Sequence, residues 1–183
     1  MATRLQSPRK DAGREIDAIV AAAMPIIGTV AEQYLKSRSL ADPAASDLVF
    51  HEGLAHRESR TSRPAMVAIV RNQSGERIAI HRTWLSADGN GKANVKKPRM
   101  MLGPVAGGAV RLAEIGSDGV VGVAEGIETA LSVMAACPNL PVWATLSAAG
   151  LERVVLPPEV QSVVILADHD ASGTGLRARL RVC

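Results

Sequence analysis

Aromatic residues are scarce, with one Phe, one Tyr and two Trp in 183 residues, at Phe50, Tyr34, Trp84 and Trp143. Proteins that grip single strands stack successive bases on aromatic faces, so base stacking is excluded as the main device of any nucleic-acid function. Cysteine is nearly absent too. Cys137 and Cys183 stand apart, outside any CxxC pair, which excludes a disulfide framework and a four-cysteine zinc site and makes the reducing cytoplasm the expected compartment. Long apolar runs are also missing. The longest, 18–30, is interrupted by Pro25 and follows Asp11, Glu15 and Asp17, so it is too short to span a bilayer and too acidic in front for a secretory signal. What the chain does have is core material: 47% of its residues are apolar, enough for one globular domain or two small ones.

Charge is divided along the chain. Residues 1–100 carry 16 Lys and Arg against 10 Asp and Glu, whereas residues 101–183 carry 5 against 8, and no lysine lies beyond Lys97. A basic front and a mildly acidic back suit a first part that meets a polyanion and a second part that holds cations with carboxylates.

The first dozen residues read as a frayed leader. Over 12–40 the apolar positions Ile16, Ile19, Val20 and Ala23 have helical spacing, Pro25 stops that helix, and a second helix is expected over 29–37, giving a helical hairpin. Strand-like segments follow at 66–70 and 78–83, joined by a turn with Asn72, Ser74 and Gly75. A Gly-rich stretch around Gly89 and Gly91 leads to Lys92, Lys96, Lys97 and Arg99. Residues 45–112 therefore read as a small β-rich module with basic loops. The last third changes rhythm: strands at 119–124, 142–146 and 162–167 alternate with helices at 127–136 and 148–154. This βαβαβ order is the signature of a mainly parallel sheet, whose sites form at the C-terminal ends of the strands.

Two of those strands run into carboxylates, the first into Glu125 and the last into Asp168 and Asp170. If the strands are near neighbours, the three side chains meet at one sheet edge, and such a cluster needs a hard divalent cation to offset its repulsion. Mg²⁺ prefers oxygen ligands and completes its shell with water and substrate phosphates, so phosphoryl-transfer or phosphodiester chemistry is implied. Gly126 and Gly173 are expected to permit tight turns beside these carboxylates. His169, between the aspartates, should point to the other side of the strand and pack. Cys137 is expected to be a small apolar filler.

Ala124-Glu125-Gly126-Ile127-Glu128-Thr129-Ala130-Leu131, followed by Ile165-Leu166-Ala167-Asp168-His169-Asp170-Ala171-Ser172-Gly173, resembles the Toprim (topoisomerase-primase) domain. With Tyr34-Leu35-Lys36-Ser37-Arg38, Ala79-Ile80-His81-Arg82-Thr83-Trp84-Leu85 and the segment 101–112 in front, the chain resembles primase-like Toprim proteins of phages, plasmids and bacterial mobile elements. The resemblance implies a helical leader over 1–44, the β-rich basic module over 45–112, and a Toprim-like α/β core over 113–183. That core reads as C-terminally incomplete, because only 13 residues follow Asp170.

The resemblance further implies that Glu125 is a metal-associated acid/base and that Asp168 and Asp170 hold Mg²⁺ or Mn²⁺ with it, for primase-like nucleotidyl transfer on a nucleic-acid template in DNA replication. Arg77, Arg82, Lys92, Lys96, Lys97 and Arg99 would hold the template's phosphates. The implied partners are a DNA or RNA template, nucleotides, and a replicative helicase or a chain completing the sheet; a membrane is not among them. Glu128 is a second acidic candidate, equally suited to the favourable first turn of its helix. A Toprim nuclease and a non-catalytic nucleic-acid-binding or interaction module remain alternatives. A haloacid-dehalogenase-type phosphatase or a receiver would need a lysine downstream of Asp168, and none exists. A P-loop fails at Ser86 and Ala93, where its first glycine and its hydroxyl residue should stand.

Overall fold

The computed structural model of the chain describes residues 8–40 and 47–166, with side chains from residue 12 onward. Helix α1 (Pro8–Ala21) is already formed at Pro8, inside the stretch expected to fray. A proline in the first turn gives up an N–H that would have no helical partner anyway. The helix stops at Ala21, ahead of Pro25, and β1 (Met24–Pro25) pairs with Phe50 and Val49 of β2 (Leu48–His56). Helix α2 (Val30–Ser37) then starts at Thr29, whose hydroxyl accepts from the N–H of Ala31 at 3.2 Å.

Strands β1 and β2, with β3 (Thr61–Arg71), β4 (Arg77–Trp84) and β5 (Arg99–Leu102), form a five-stranded antiparallel sheet in chain order. Because β1 carries the chain along the sheet edge, the two helices cover opposite faces. Ile16 and Ile19 of α1 pack with Leu54, Val67, Ile69, Ile80 and Trp84. Ala31, Tyr34 and Leu35 of α2 pack with Phe50, Met66, Ala68 and Val70. With both faces covered, β3 is buried at every position over 65–70, which is why its apolar run does not alternate.

The second sheet contains β6 (Val110–Arg111), β7 (Val120–Ala124), β8 (Val142–Ala144) and β9 (Ser162–Leu166), in the order β6-β8-β7-β9. β7 is parallel to both its neighbours, with Ala124 opposite Ala144 on one side and Leu166 on the other, while β6 runs antiparallel to β8. Helix α3 (Ile127–Ala136) joins β7 to β8, and α4 (Ala148–Arg153) lies between β8 and β9. This is the alternation the sequence pattern implies.

One hydrophobic core serves both sheets: Val110, Ala124, Ile127, Ala130, Leu131, Val142 and Ala144 belong to the same buried cluster as α2 and the inner face of β2–β4. The shared core joins the start of α3 to the inner face of β2–β4. All four aromatic side chains are buried, at 6% exposure or less, so none offers a face for stacking bases. Cys137 departs from expectation: it follows α3 at an exposed position and fills no gap. Among the described residues no helix is long and apolar enough to cross a membrane.

Candidate active site

The end of β7 is held firmly. The N–H and the hydroxyl of Thr145 both donate to the Ala124 carbonyl, at 2.9 and 3.2 Å. The next residue, Glu125, is partly buried, and its side chain makes no hydrogen bond or ion pair among the described residues. β9, the strand preceding Asp168 and Asp170 in the sequence, ends beside β7, so the neighbourhood required of the two acidic segments is present. Asp168, Asp170, His169 and Gly173 themselves lie outside the described residues.

Gly126 is the N-cap residue of α3, with φ −106°, a conformation open to any residue. The turn therefore does not depend on glycine's conformational freedom. A side chain there would meet the Thr129 hydroxyl at 3.4 Å, and glycine itself supplies no side-chain cap to the helix. The N-terminus of a helix carries a partial positive charge that attracts anions.

Those residues form one wall of a cavity of about 230 Å³ between the two sheets. The opposite wall comes from the antiparallel sheet. His81 and Thr83 of β4 and Arg99 of β5 share a face, since Arg99 pairs with Thr83, and Lys92 approaches from the loop between these strands. Tyr34 and Leu146 close the sides. Leu146 has φ 69°, left-handed backbone that costs a residue with a side chain on the order of 1 kcal/mol, and such strain gathers at functional sites.

Electrostatics make the cavity cationic. Arg99 is exposed and has no ion pair among the described residues. Lys92 lies 3.8 Å from Glu128, and partial burial pulls its pKa down while Glu128 pulls it up. Glu128 also accepts from the Tyr34 hydroxyl at 2.8 Å and from Arg38 Nε at 2.5 Å, and burial raises the Tyr34 pKa well above the ordinary value. His81 has a buried Nδ1 without a partner.

Burial first, and then the charges of Arg99, Arg82 and Lys92, push the His81 pKa down from 6.5 to about 4. The ring is therefore neutral at pH 7, and between those two values the native state binds fewer protons than the unfolded chain. The stability this group contributes is complete above about pH 6.5 and is lost as the pH falls toward 4, amounting to about 3 kcal/mol. Denaturant titrations at pH 7 and pH 4 should show that loss, and His81→Gln should lose less; equal losses in both proteins would assign the acid limb to other groups.

The six basic residues singled out in the sequence are not gathered in one place. Lys92 and Arg99 line the cavity. Arg77 is paired with Asp17 at 2.5 Å. Lys96 and Lys97 sit 3.9 and 3.7 Å from Glu58, both largely exposed. Arg82 points to the α1 side, 8% exposed, with its guanidinium over Trp84 at 5.2 Å and one bond to the Met101 carbonyl. Tyr34, His81, Thr83 and Leu146 join the cavity without having been singled out, and Arg38 reaches its edge through Glu128. A wider recess of about 770 Å³ lies at the other end of β7, beside Gly119, where Arg111 already donates to the carbonyls of Asn72 and Gln73.

A mainly parallel sheet with an acidic residue at the end of an inner strand thus stands beside a β-rich antiparallel module. Residues 120–182, a span that includes Glu125, Asp168 and Asp170, match the Toprim domain, and the protein is a Toprim-domain protein. Residues 10–112, more than half of the chain, match the family described as domain of unknown function DUF7146, and the chain belongs to that family. Among solved structures it is similar to the one titled "Structure of the DnaG primase catalytic domain bound to ssDNA", with a TM-score of 0.56 and 15% identity over 90% of this chain. The likeness spans 63% of that chain, and at this identity it speaks for the fold. No curated protein matches the sequence.

Proposed function

We propose that the protein is a primase-like, Mg²⁺-dependent nucleotidyltransferase acting on a nucleic-acid template. The observation that carries this reading is the placement of the cationic cavity: Lys92 and Arg99 face the N-terminus of α3, one residue past Glu125. In the proposed reaction the 3′-hydroxyl oxygen of a growing strand attacks the α-phosphorus of a nucleoside triphosphate. A new P–O bond forms, the bond to the β-phosphate breaks, and pyrophosphate leaves. Glu125, free of other partners among the described residues, takes the hydroxyl proton. Lys92, Arg99 and the first N–H groups of α3 bind the β- and γ-phosphates and stabilise the charge that develops on the pyrophosphate.

The donor set fits a hard cation, since Glu125 offers carboxylate oxygens that no described residue occupies. Glu125, Asp168 and Asp170 are the proposed holders, and the ion would supply neutralisation of the triphosphate. Glu125 is the only one of the three within the described residues, and no group of three ligating side chains occurs among those residues.

Incubation with labelled nucleotides, Mg²⁺ and a single-stranded template tests the proposal. Lengthened oligonucleotides that disappear in Asp168→Ala support it. Shortened ones assign a nuclease, and salt-sensitive template binding indifferent to Mg²⁺ and to Asp168→Ala assigns a binding module.

A further inference from the structure

The two oxygens of Glu128 are used unequally. Oε2 takes both Nε and an Nη of Arg38, each at 2.5 Å, a pairing that fixes the guanidinium. Oε1 takes the Tyr34 hydroxyl at 2.8 Å and faces Lys92 Nζ at 3.8 Å, beyond hydrogen-bond length. Arg38 is thus held, whereas Lys92 is attracted but not bonded. Arg38, Lys92 and Arg99 against Glu128 leave two positive charges in excess around a neutral His81, which suits a phosphoryl group.

We infer that Glu128 is an internal counter-ion of this cavity, holding Lys92 until a phosphoryl group takes it over, and so sets how tightly the cavity binds anions. The inference rests on the phosphoryl ligand of the reading above. An entering phosphoryl oxygen must detach Lys92 from Glu128 and approach a like charge. Both costs vanish when the carboxylate becomes an amide, whose oxygen can still accept from Arg38 while its NH₂ donates to the Tyr34 hydroxyl oxygen, so the join between α2 and α3 survives.

The experiment measures binding of inorganic pyrophosphate, without metal, to the full chain by calorimetry. Glu128→Gln should bind about tenfold more tightly than the parent at low salt, and the gain should shrink as salt is added. The gain should also vanish when Lys92→Ala is the background, a result that a purely structural role for Glu128 would not produce. In the unaltered protein pyrophosphate should protect Lys92 from acylation, read by mass spectrometry, which keeps the test independent of any variant's folding. Equal or weaker binding by Glu128→Gln, or no protection of Lys92, overturns the inference. Failure of the underlying reading looks different: pyrophosphate then binds to none of the proteins, or binds equally to Arg99→Ala.

Discussion

Glu125→Gln is expected to lower the proposed template-directed nucleotide incorporation by about 100- to 1000-fold, the range for removal of a positioned acid/base group. The substitution keeps the side chain's shape and removes only its charge and its capacity to take a proton. Because no described residue bonds to Glu125, nothing else among the described residues depends on that charge, and the end of β7 stays pinned by Thr145. Thermal unfolding and template affinity should therefore match the parent. Pyrophosphate binding without metal should also persist, since Lys92 and Arg99 are untouched. Initial rates of incorporation, a melting curve and an anisotropy titration on the same preparation check all three. Incorporation within about threefold of the parent would remove Glu125 from the chemistry, because a positioned base contributes far more than that.

The adjacency of the two strands that lead into the acidic segments is legible in the sequence and the basic lining of the cavity is not, for a physical reason. Each acidic segment follows an apolar β-branched run, and parallel crossovers place such strand ends on one edge, so the proximity of β7 and β9 follows from pattern alone. The basic residues carry no such signal. Arg82 and Thr83 are adjacent in β4, yet strand alternation sends Thr83 to the cavity and Arg82 to the α1 side. That parity was available once β4 was recognised, but which face would be the cavity depended on where the second sheet docked. Pairs such as Tyr34 with Glu128, 94 positions apart, depend wholly on that docking. The two N-terminal helices teach the same lesson. Their spacing is plain, but the passage of Met24 and Pro25 along the sheet edge, which divides them between two faces, is too short a strand to announce itself.

Asp47→Ala is expected to cost about 3 kcal/mol, a fall of roughly 6–12 °C in melting temperature for a chain of this size. Asp47 is 1% exposed and takes Arg71 Nε on both oxygens, at 2.8 and 3.0 Å, with the Arg111 N–H at 3.3 Å. These bonds tie β3 of the first sheet to β6 of the second, alongside the pairing of Arg71 with Ala109. Burial pushes the Asp47 carboxyl above its ordinary value, while Arg71 and Arg111 pull it back, so desolvation consumes much of the attraction. Removing the carboxylate leaves Arg71 with one remaining bond to the Gly75 carbonyl, at 3.0 Å. Arg71 is one-third exposed, so water can partly resolvate it, which sets the loss at the low end for a broken buried pair. Pairing Asp47→Ala with Arg71→Met should recover part of the stability, since an apolar pair leaves no stranded charge. Function should follow the docking: as the sheets loosen, Lys92 and Arg99 drift from the start of α3 and pyrophosphate binding weakens, which Glu125→Gln does not cause. Urea unfolding of the three proteins decides the matter, and a loss below about 1 kcal/mol for Asp47→Ala would show that the shared apolar core alone holds the two sheets together.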